Sequence, residues 1–462
     1  MMKKKRLIAL LILVMLVVAC GKQDEAGAPT ATPEAAEGTA ENVTISFAVY
    51  DWEEASYKDL VQAFEQANPD LHVRLVSINE LLELDLFGGE WPDDAWQRLA
   101  SRADVINFNG SQSAVEQGLV RDLTPFIQAD ANFQRDDFYP GALESNQWKG
   151  RTWTLPTRII FEMIFYDKDV FDAAGLAYPE PGWRWDDMLA AAKALTTREG
   201  GKVTRWGFVQ PQMDPLPFIE GRVGPLVDDA ADPPKPRFDQ PEVREAARWY
   251  VDLFLKDEVS PYFEPPEEGE GSYIPPGQQM IEDGQAAMWH ESSTSWQIRK
   301  EQGHLGIVPY PVDDADSHTT PIWVQGLSMS AGTAHPDAAW RWMDFVSRQA
   351  PPQAGPLIQF MSARRSTAES SGFWDEIDAE LAAALRYAIE HSYVRHWRTG
   401  YDAGEEALEA VLNGEKSLED ALAQAQTQAE ADIDEERTHQ QEATPVPTFV
   451  VSAPEQAPSG QG

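Results

Sequence analysis

The chain of 462 residues carries 37 lysines and arginines against 76 aspartates and glutamates, a formal net charge of -39. The length favours two lobes, and a hydrophobic content of 42% is enough for sizeable cores, which excludes global disorder. The acidity argues against nucleic-acid binding, because phosphate contacts need clustered basic residues, and the single cysteine excludes an intramolecular disulfide or a cysteine-based metal site.

The N-terminal segment predicts an exported protein with a lipid anchor. Basic residues 3–6 precede an apolar run over residues 7–18 that is too short to span a bilayer comfortably. The run ends in Val-Val-Ala-Cys-Gly, which resembles a bacterial lipobox with Cys20 as the lipidated first residue of the mature protein. An ordinary secretory signal with a chance cysteine is the alternative. We therefore predict a lipoprotein signal peptide over residues 1–19 and membrane contact through the lipid alone.

The next segments predict a tether followed by a parallel sheet. Residues 20–42 are rich in Ala, Pro, Thr and Glu and predict a flexible tether. Alternating apolar residues over 43–49 predict a strand, and apolar residues spaced i, i+3, i+4, i+7 between 57 and 64 predict a helix. A strand-like run follows over residues 71–78. A strand–helix–strand unit of this kind predicts parallel pairing.

Polar and aromatic side chains follow the predicted strands. Asp51, Trp52 and Glu53 come at the end of the first strand, and Asn107, Asn109 and Ser111 fall at the end of a short strand over residues 104–108. Ligands of open α/β sheets bind outside the carboxyl ends of strands, so these residues are candidates for a ligand site. Asp51 can instead cap the following helix.

The rest of the chain alternates between strands and helices. An apolar run over 158–166 predicts a strand between lobes, and a short strand is predicted over 205–209. Helices are predicted from 185 to 195, with Asp186 or Asp187 as the cap, and over 242–255 and 334–348. Residues 373–437 are mostly helical in pattern, and residues 438–462 predict a disordered tail. The fold class is therefore α/β.

Motifs for catalysis and cofactor binding are absent from the sequence. It contains no GxGxxG or P-loop motif, the residues after His290-Glu291 break the HExxH spacing, and the residues around Ser328 make no GxSxG elbow. We predict no catalytic residues, no metal and no cofactor. A carboxylate pair for glycoside hydrolysis stays open, because 76 acidic residues offer many pairs.

Seven segments in order resemble the family 1 extracellular solute-binding proteins of ABC importers, the maltose-binding-protein-like group. They are FEQANPDLHVRLV (64–76), ADVINFNGSQSAVEQGLVRDLTPFI (103–127), FYDKDVFDAAGL (165–176), WRWDDMLAAAKALT (183–196), FDQPEVREAARWYVDLF (238–254), EDGQAAMW (282–289) and GLSMSAGTAHPDAAWRWMDFVS (326–347). The resemblance covers roughly residues 43–430. It implies a two-lobed periplasmic-binding-protein fold with three interlobe crossings, near residues 156–162, 309–320 and 360–365, and a C-terminal helical segment.

The resemblance also implies the lobe boundaries and the task of the protein. The N-terminal lobe would comprise residues 43–157 and 318–362, and the C-terminal lobe residues 158–317 and 363–437. Such a protein is a monomer without enzymatic activity that binds a small solute, by resemblance a sugar, in the cleft and presents it to the transmembrane subunits of an ABC permease. The protein would be lipid-anchored to the outer face of a membrane, in the periplasm or outside the cell.

Sixteen tryptophans suggest that the solute is a carbohydrate, because an aromatic ring covers the apolar face of a pyranose while polar side chains bind its hydroxyls. The predicted ligand contacts are Trp52, Glu53, Asn109, Trp153, Trp289, Glu291, Trp323, Arg364 and Trp397. Five tryptophans in helix-like segments are assigned to packing instead: Trp185, Trp249, Trp340, Trp342 and Trp374.

Other functions stay open at this point. A polyamine or other cation suits an acidic cleft, a lipid-anchored glycosidase would use two carboxylates, and a receptor could report its closed state to a sensor. The segment 79–98 departs from the family pattern, and its Trp91 and Trp96 either fold the loop down or extend the cleft toward a longer sugar.

Overall fold

The computed structural model describes residues 42–85, 91–211, 214–228, 231, 233–263, 275–352, 359–394, 399–442 and 450–452. The predicted signal peptide, Cys20, nearly all of the predicted tether and Trp397 lie outside these ranges. Among the helices in the described ranges, none combines the length and the apolar character that crossing a membrane requires.

The strands are numbered in chain order. They are β1 (Val43–Val49), β2 (Leu71–Ser77), β3 (Val105–Ile106), β4 (Gln147–Trp148), β5 (Arg151–Thr152), β6 (Thr154–Asp167), β7 (Thr197–Glu199), β8 (Lys202–Arg205), β9 (Val227–Asp228), β10 (Lys235–Pro236), β11 (Met288–Ser292), β12 (Leu305–Val308), β13 (Thr320–Met329), β14 (Met361–Ser362) and β15 (Ser392–Val394).

The α-helices are numbered in the same way. They are α1 (Asp51–Ala67), α2 (Ile78–Leu82), α3 (Ala95–Arg102), α4 (Gln112–Glu116), α5 (Thr124–Ala129), α6 (Lys168–Ala174), α7 (Trp185–Leu195), α8 (Leu216–Val223), α9 (Pro241–Leu255), α10 (Pro276–Glu282), α11 (Trp296–Arg299), α12 (Pro336–Ser347), α13 (Arg365–Ser370), α14 (Phe373–Glu376), α15 (Ala379–Glu390), α16 (Tyr401–Leu412) and α17 (Leu418–Glu442). Short 3-10 turns lie at Arg135–Asp137, Glu144–Asn146 and Ser293–Ser295.

The N-terminal strand–helix–strand unit confirms the prediction of parallel pairing. β1 pairs with β2 in parallel from Val43 opposite Leu71 to Val49 opposite Ser77, and α1 connects them. Tyr57 and Phe64, on the predicted apolar face of α1, are buried. β3 pairs in parallel with the other edge of β1, so the carboxyl ends of β1 and β3 lie side by side.

Strand β6 lies between β11 and β13 in the main sheet, whose order is β11-β6-β13-β3-β1-β2. The first half of β6 pairs with β13, and the second half pairs with β11 and β12. This confirms the predicted long strand over residues 158–166. The register of β13 shifts between Gln325 and Gly326, where a Cβ on Gly326 would lie only 2.1 Å from the carbonyl oxygen of Leu155.

Two large hydrophobic cores flank this sheet. One contains β1, β2, α12 and most of β6, and the other contains α7, α9, α16 and α17. Trp185, Trp340 and Trp342 are buried in these cores, and Trp249 and Trp374 pack against them. All five tryptophans that we assign to packing therefore lie in a hydrophobic core or pack against one.

Three local predictions differ from the structure. Residues 205–209 form no continuous strand beyond the end of β8; Trp206 and Val209 make isolated bridges to Ala286 and Trp289. Ile78 begins α2 instead of ending a strand, because the Ser77 hydroxyl accepts from the backbone N–H of Glu80 as a helix cap. The predicted start of the tail at residue 438 falls inside α17.

Candidate functional site

A cavity of about 770 Å³ lies outside the carboxyl end of β3. One wall consists of residues 108–113 with Glu116, Ser145 and Asn146, and of Trp323 and Val324 on β13. The opposite wall consists of Thr399, Gly400, Asp402 and two acidic residues of α17. The cavity therefore brings together chain segments that lie about three hundred residues apart.

The first wall presents aromatic rings beside polar groups. Phe108 lies two residues after the end of β3 and is 39% exposed, and Trp323 is partly buried on β13. Asn109 holds the two segments together: its Nδ2 donates to the carbonyl oxygen of Val324 over 2.6 Å, and its Oδ1 accepts from the backbone N–H of Gly326 over 2.8 Å. The amide of Asn109 thereby positions Trp323, which makes Asn109 a lining residue with a structural role.

The opposite wall is acidic. Asp402, Asp432 and Glu436 supply its carboxylates. Glu436 touches α4 of the first wall, because the side-chain amide of Gln112 donates to both Glu116 and Glu436. Burial and a hydrogen bond with the Glu436 carboxyl raise the pKa of Glu116 to about 7. The protonated form of Glu116 is therefore favoured beside Glu436.

Glu53, which we predict as a ligand contact, lies in the first turn of α1 and is buried in the interior of the protein. Its side chain is fully buried; one carboxylate oxygen accepts from Asn107 Nδ2 over 2.8 Å, and the other accepts from Arg158 Nη1 over 3.1 Å. Arg158 Nε also donates to Gln325 over 2.6 Å. Burial raises the pKa of Glu53, and the charge of Arg158 opposes the rise. Glu53 is thus a buried structural partner of Arg158.

Two predicted tryptophans lie near the cavity without lining it. Trp52, in the first turn of α1, is 42% exposed and stacks against Tyr50 with ring centroids 6.2 Å apart. Trp153 donates its indole N–H to the carbonyl oxygen of Trp148, and both rings line a side pocket of about 50 Å³. This side pocket and the main cavity share Gly110, Gln112, Ser145 and Asn146.

Trp289 and Glu291 lie in a different part of the protein. Trp289 is 4% exposed and stacks on Phe165, and its indole N–H donates to Glu291 over 2.9 Å. The same carboxylate oxygen accepts from Arg299 Nε over 2.8 Å. Trp289 and Arg299 line a separate cavity of about 420 Å³. The structure therefore does not bring Trp289 and Glu291 together with Trp323, because β11 pairs with the far half of β6.

Arg364, which we predict as a ligand contact, lies in a network of protein groups away from the cavity lining. Its side chain is completely buried and donates to the Ser347 hydroxyl, the Phe133 carbonyl oxygen, and the carboxylates of Asp137 and Asp344. The guanidinium also packs over the ring of Phe138. All three guanidinium nitrogens thus donate to protein groups, and desolvation lowers the pKa of Arg364 to about 10.

Sequence reasoning missed several residues of the cavity. Phe108 stands between Asn107 and Asn109 at the carboxyl end of β3, so the same strand-end signal applies to it. Asp402, Asp432 and Glu436 carry no such signal, because acidic residues recur along the surfaces of α16 and α17. Only their approach to α4 marks them. The remaining predicted contact, Trp397, lies outside the described residues.

A cluster of possible metal ligands lies elsewhere on the surface. Asp169, Asp172 and His304 have side-chain ligand atoms within 4.8 Å of one another, and all three residues are exposed. Asp172 accepts from the Tyr178 hydroxyl, and His304 pairs with Asp169. These partners account for the grouping, and we assign no metal to it.

Comparison with known proteins identifies relatives with a related role. The sequence profile described as "Bacterial extracellular solute-binding protein" matches residues 50–350, more than half of the chain. An arabinooligosaccharide-binding protein from Bacillus subtilis (strain 168) is 26% identical over 198 residues. That match spans 41% of this chain and 40% of the relative, so less than two thirds of the relative is covered.

Solved structures share the fold. The sugar-binding protein MalE from Xanthomonas citri superposes with a TM-score of 0.66 at 18% identity, covering 87% of this chain and 100% of that one. An ABC substrate-binding protein from Listeria monocytogenes, solved in complex with cycloalternan, gives a TM-score of 0.62 at 19% identity, covering 85% of this chain and 99% of that one. These likenesses confirm the predicted two-lobed α/β fold.

Proposed function

Because the chain belongs to the bacterial extracellular solute-binding proteins, we propose that it captures a carbohydrate in the 770 Å³ cavity and delivers it to the transmembrane subunits of an ABC importer. The ligand is an oligosaccharide. The protein performs no chemistry on the ligand; its task is binding and presentation. The following features of the cavity support this proposal.

The pairing of aromatic rings with polar groups in one cavity carries the proposal. Phe108 and Trp323 offer faces for the apolar side of a pyranose, while Ser111 and Asp402 offer polar groups to its hydroxyls. The volume lies in the usual range for small-molecule sites. The relatives add support, since one is named for binding arabinooligosaccharides and another was solved with cycloalternan.

The position of the cavity supports ligand capture between lobes. We propose residues 43–157 with 318–362 as the N-terminal lobe, and residues 158–317 with 363–437 as the C-terminal lobe. Residues 108–146 and 323–324 of the lining then belong to the first lobe, and residues 399–436 belong to the second. A ligand that contacts both walls stabilises the closed arrangement of the lobes, because it binds that arrangement more tightly than the open one.

The N-terminal signal supports a place in the cell envelope. We propose that Cys20 carries a lipid that anchors the protein to the outer face of a membrane, while the remainder stays outside the bilayer. Metabolic labelling with a palmitate analogue should mark the protein and should fail on a Cys20→Ala variant. Equal labelling of both would contradict the anchor.

A binding experiment with a matched control tests the proposed ligand class. We expect titration calorimetry against a panel of neutral oligosaccharides to find a binder, and Trp323→Ala to weaken it by about tenfold, as expected for loss of one stacked ring and its buried area. Trp374→Ala removes an indole that packs at the edge of a core and lies outside the cavity lining, and it should leave the affinity unchanged. Equal affinities for all three proteins would contradict the proposed site.

A cationic solute is the second candidate, because four carboxylates line the cavity and none of its described lining residues is a lysine, arginine or histidine. Titration with spermidine separates the two candidate ligands. If spermidine binds and no sugar does, the ligand is a cation and not a carbohydrate. A glycosidase would instead release reducing sugar from the oligosaccharides, and that result would overturn a purely binding role.

A further inference from the structure

A continuous row of aromatic side chains leads outward from the rim of the cavity. The row consists of Phe108, Trp91, Tyr50 and Trp52. Phe108 lines the cavity, and the Trp91 ring lies 4.5 Å from it, centroid to centroid, at an interplanar angle of 40°. Trp91 hydrogen-bonds to the Tyr50 hydroxyl, to which its indole N–H can only donate. Tyr50 in turn stacks against Trp52 at 6.2 Å and 17°.

The two ends of the row are open to solvent. Trp52 is 42% exposed and Phe108 is 39% exposed, although large apolar side chains are normally covered. Tyr50 and Trp91 are partly buried because their inner sides pack against the small core under α2 and α3. Single exposed aromatics are common on protein surfaces, whereas a contiguous patch beside a cavity marks an interaction site.

The position of Trp91 answers a question that the sequence left open. Trp91 belongs to the segment 79–98, where the chain departs from the family pattern. Trp96 of the same segment packs against the small core and lies 6.3 Å from Trp91. Trp96 therefore folds the segment down, and Trp91 connects the cavity residue Phe108 to Tyr50.

We propose that the aromatic row is an extension of the ligand site, on which the outer sugar rings of a long oligosaccharide stack. This inference rests on the proposed function. The occupant is a carbohydrate chain because the row begins at a residue of the cavity itself, so a chain that leaves the cavity at Phe108 reaches Trp91 next. Asp51, between Tyr50 and Trp52 in the chain, offers a carboxylate for its hydroxyls.

The extension makes affinity depend on the length of the ligand. A short oligosaccharide fills the cavity and does not reach Trp52, whereas each further ring that stacks on the row adds between about twofold and tenfold in affinity. The protein then selects long oligosaccharides over their short fragments without any added contact in the cavity.

Calorimetric titration of the purified protein with malto- and arabino-oligosaccharides, from disaccharide to heptasaccharide, tests this extension. We expect affinity to rise with length in the wild type. Trp52→Ala and Trp91→Ala should reduce the affinity for the long members by about twofold to tenfold and leave that for the shortest binder unchanged. Trp91→Phe should restore part of the loss. Trp374→Ala is the matched control, and its length dependence should equal that of the wild type.

Other results of these titrations would contradict either the extension or the proposed function. Binding that does not strengthen with length, or a length dependence that survives both substitutions, would overturn the extension and leave the proposed function intact. The exposed position of Trp52 keeps the test valid if Trp91→Ala fails to fold. A change of oligomeric state in Trp52→Ala at unchanged sugar affinity would assign the row to a protein contact instead. Absence of binding by every oligosaccharide would overturn the proposed function and the extension with it.

Discussion

Replacing Glu53 with alanine should destabilise the protein strongly. The carboxylate is completely buried between Asn107 and Arg158, and the Arg158 side chain is only 11% exposed. Removing the carboxylate leaves the guanidinium without its counterion in a site that water hardly reaches. Breaking a buried ion pair by removing one partner costs about 3–5 kcal/mol. With a shift of about 2 °C per kcal/mol for a large domain, the melting temperature should fall by about 6–10 °C.

Thermal and urea unfolding of the purified protein measure this loss. Glu54→Ala is the matched control, because the neighbouring carboxylate is 43% exposed and pairs with Lys58 within α1. An exposed pair of this kind contributes less than about 0.5 kcal/mol, so the control should melt close to the wild type. Glu53→Gln should lie between the two, since its amide oxygen can still accept from Asn107.

The binding behaviour of Glu53→Ala decides between two interpretations of the residue. If Glu53 is structural, the folded fraction of the variant should bind the ligand with nearly wild-type affinity. An unchanged melting temperature together with loss of ligand affinity would refute the reasoning from burial and restore Glu53 as a ligand contact.

Three other substitutions have defined outcomes. Arg364→Met should lower the free energy of unfolding by about 3–5 kcal/mol, because it leaves Asp137 and Asp344 without their buried partner; a large loss of ligand affinity at unchanged stability would instead assign Arg364 to the site. The pKa of Glu116 is raised to about 7, so the folded protein retains a proton that the unfolded chain releases. The stability that this group contributes is therefore complete below pH 4.5 and is lost as the pH rises to 7, by about 1 kcal/mol after screening by solvent. Glu116→Gln should flatten this pH dependence of the melting temperature. An unaltered pH profile in the variant would contradict the raised pKa of Glu116. Gly326→Ala should destabilise the chain by about 1–3 kcal/mol in urea unfolding, because its Cβ would overlap the Leu155 carbonyl oxygen at 2.1 Å; wild-type stability would show that the bulge relaxes freely.

Short-range patterns predicted the elements that frame the site. The alternation over residues 43–49 and the helical spacing from Tyr57 to Phe64 correspond to β1 and α1. Helix α7 has the predicted bounds, although its N-cap residue is Arg184, from whose backbone N–H the Asp187 carboxylate in the first turn accepts. Such patterns are reliable because a helix or strand buries one face, and the apolar residues of that face recur along the chain with the period of the element.

Individual ligand contacts were harder to predict. Of the predicted contacts, Trp323 and Asn109 line the cavity, whereas Trp289 stacks in a core and Arg364 donates to a buried network. A loop tryptophan beside polar neighbours looks the same in sequence whether its ring faces solvent or a second element. The partner decides, and the partner of Trp289 is Phe165, more than a hundred residues earlier in the chain.

By itself, the sequence determined the acidic character of this protein, its α/β class and its family, because composition, periodicity and ordered motifs are properties of contiguous residues. Only the tertiary structure decided which acids face the cavity. Glu116 and Glu436 meet in its lining although they are 320 positions apart in the chain, while Glu53 beside an exposed Trp52 is completely buried. Contacts between residues so far apart in the chain depend on how helices and strands pack together. The residues next to Glu116 or Glu436 in the sequence do not indicate which element it will meet.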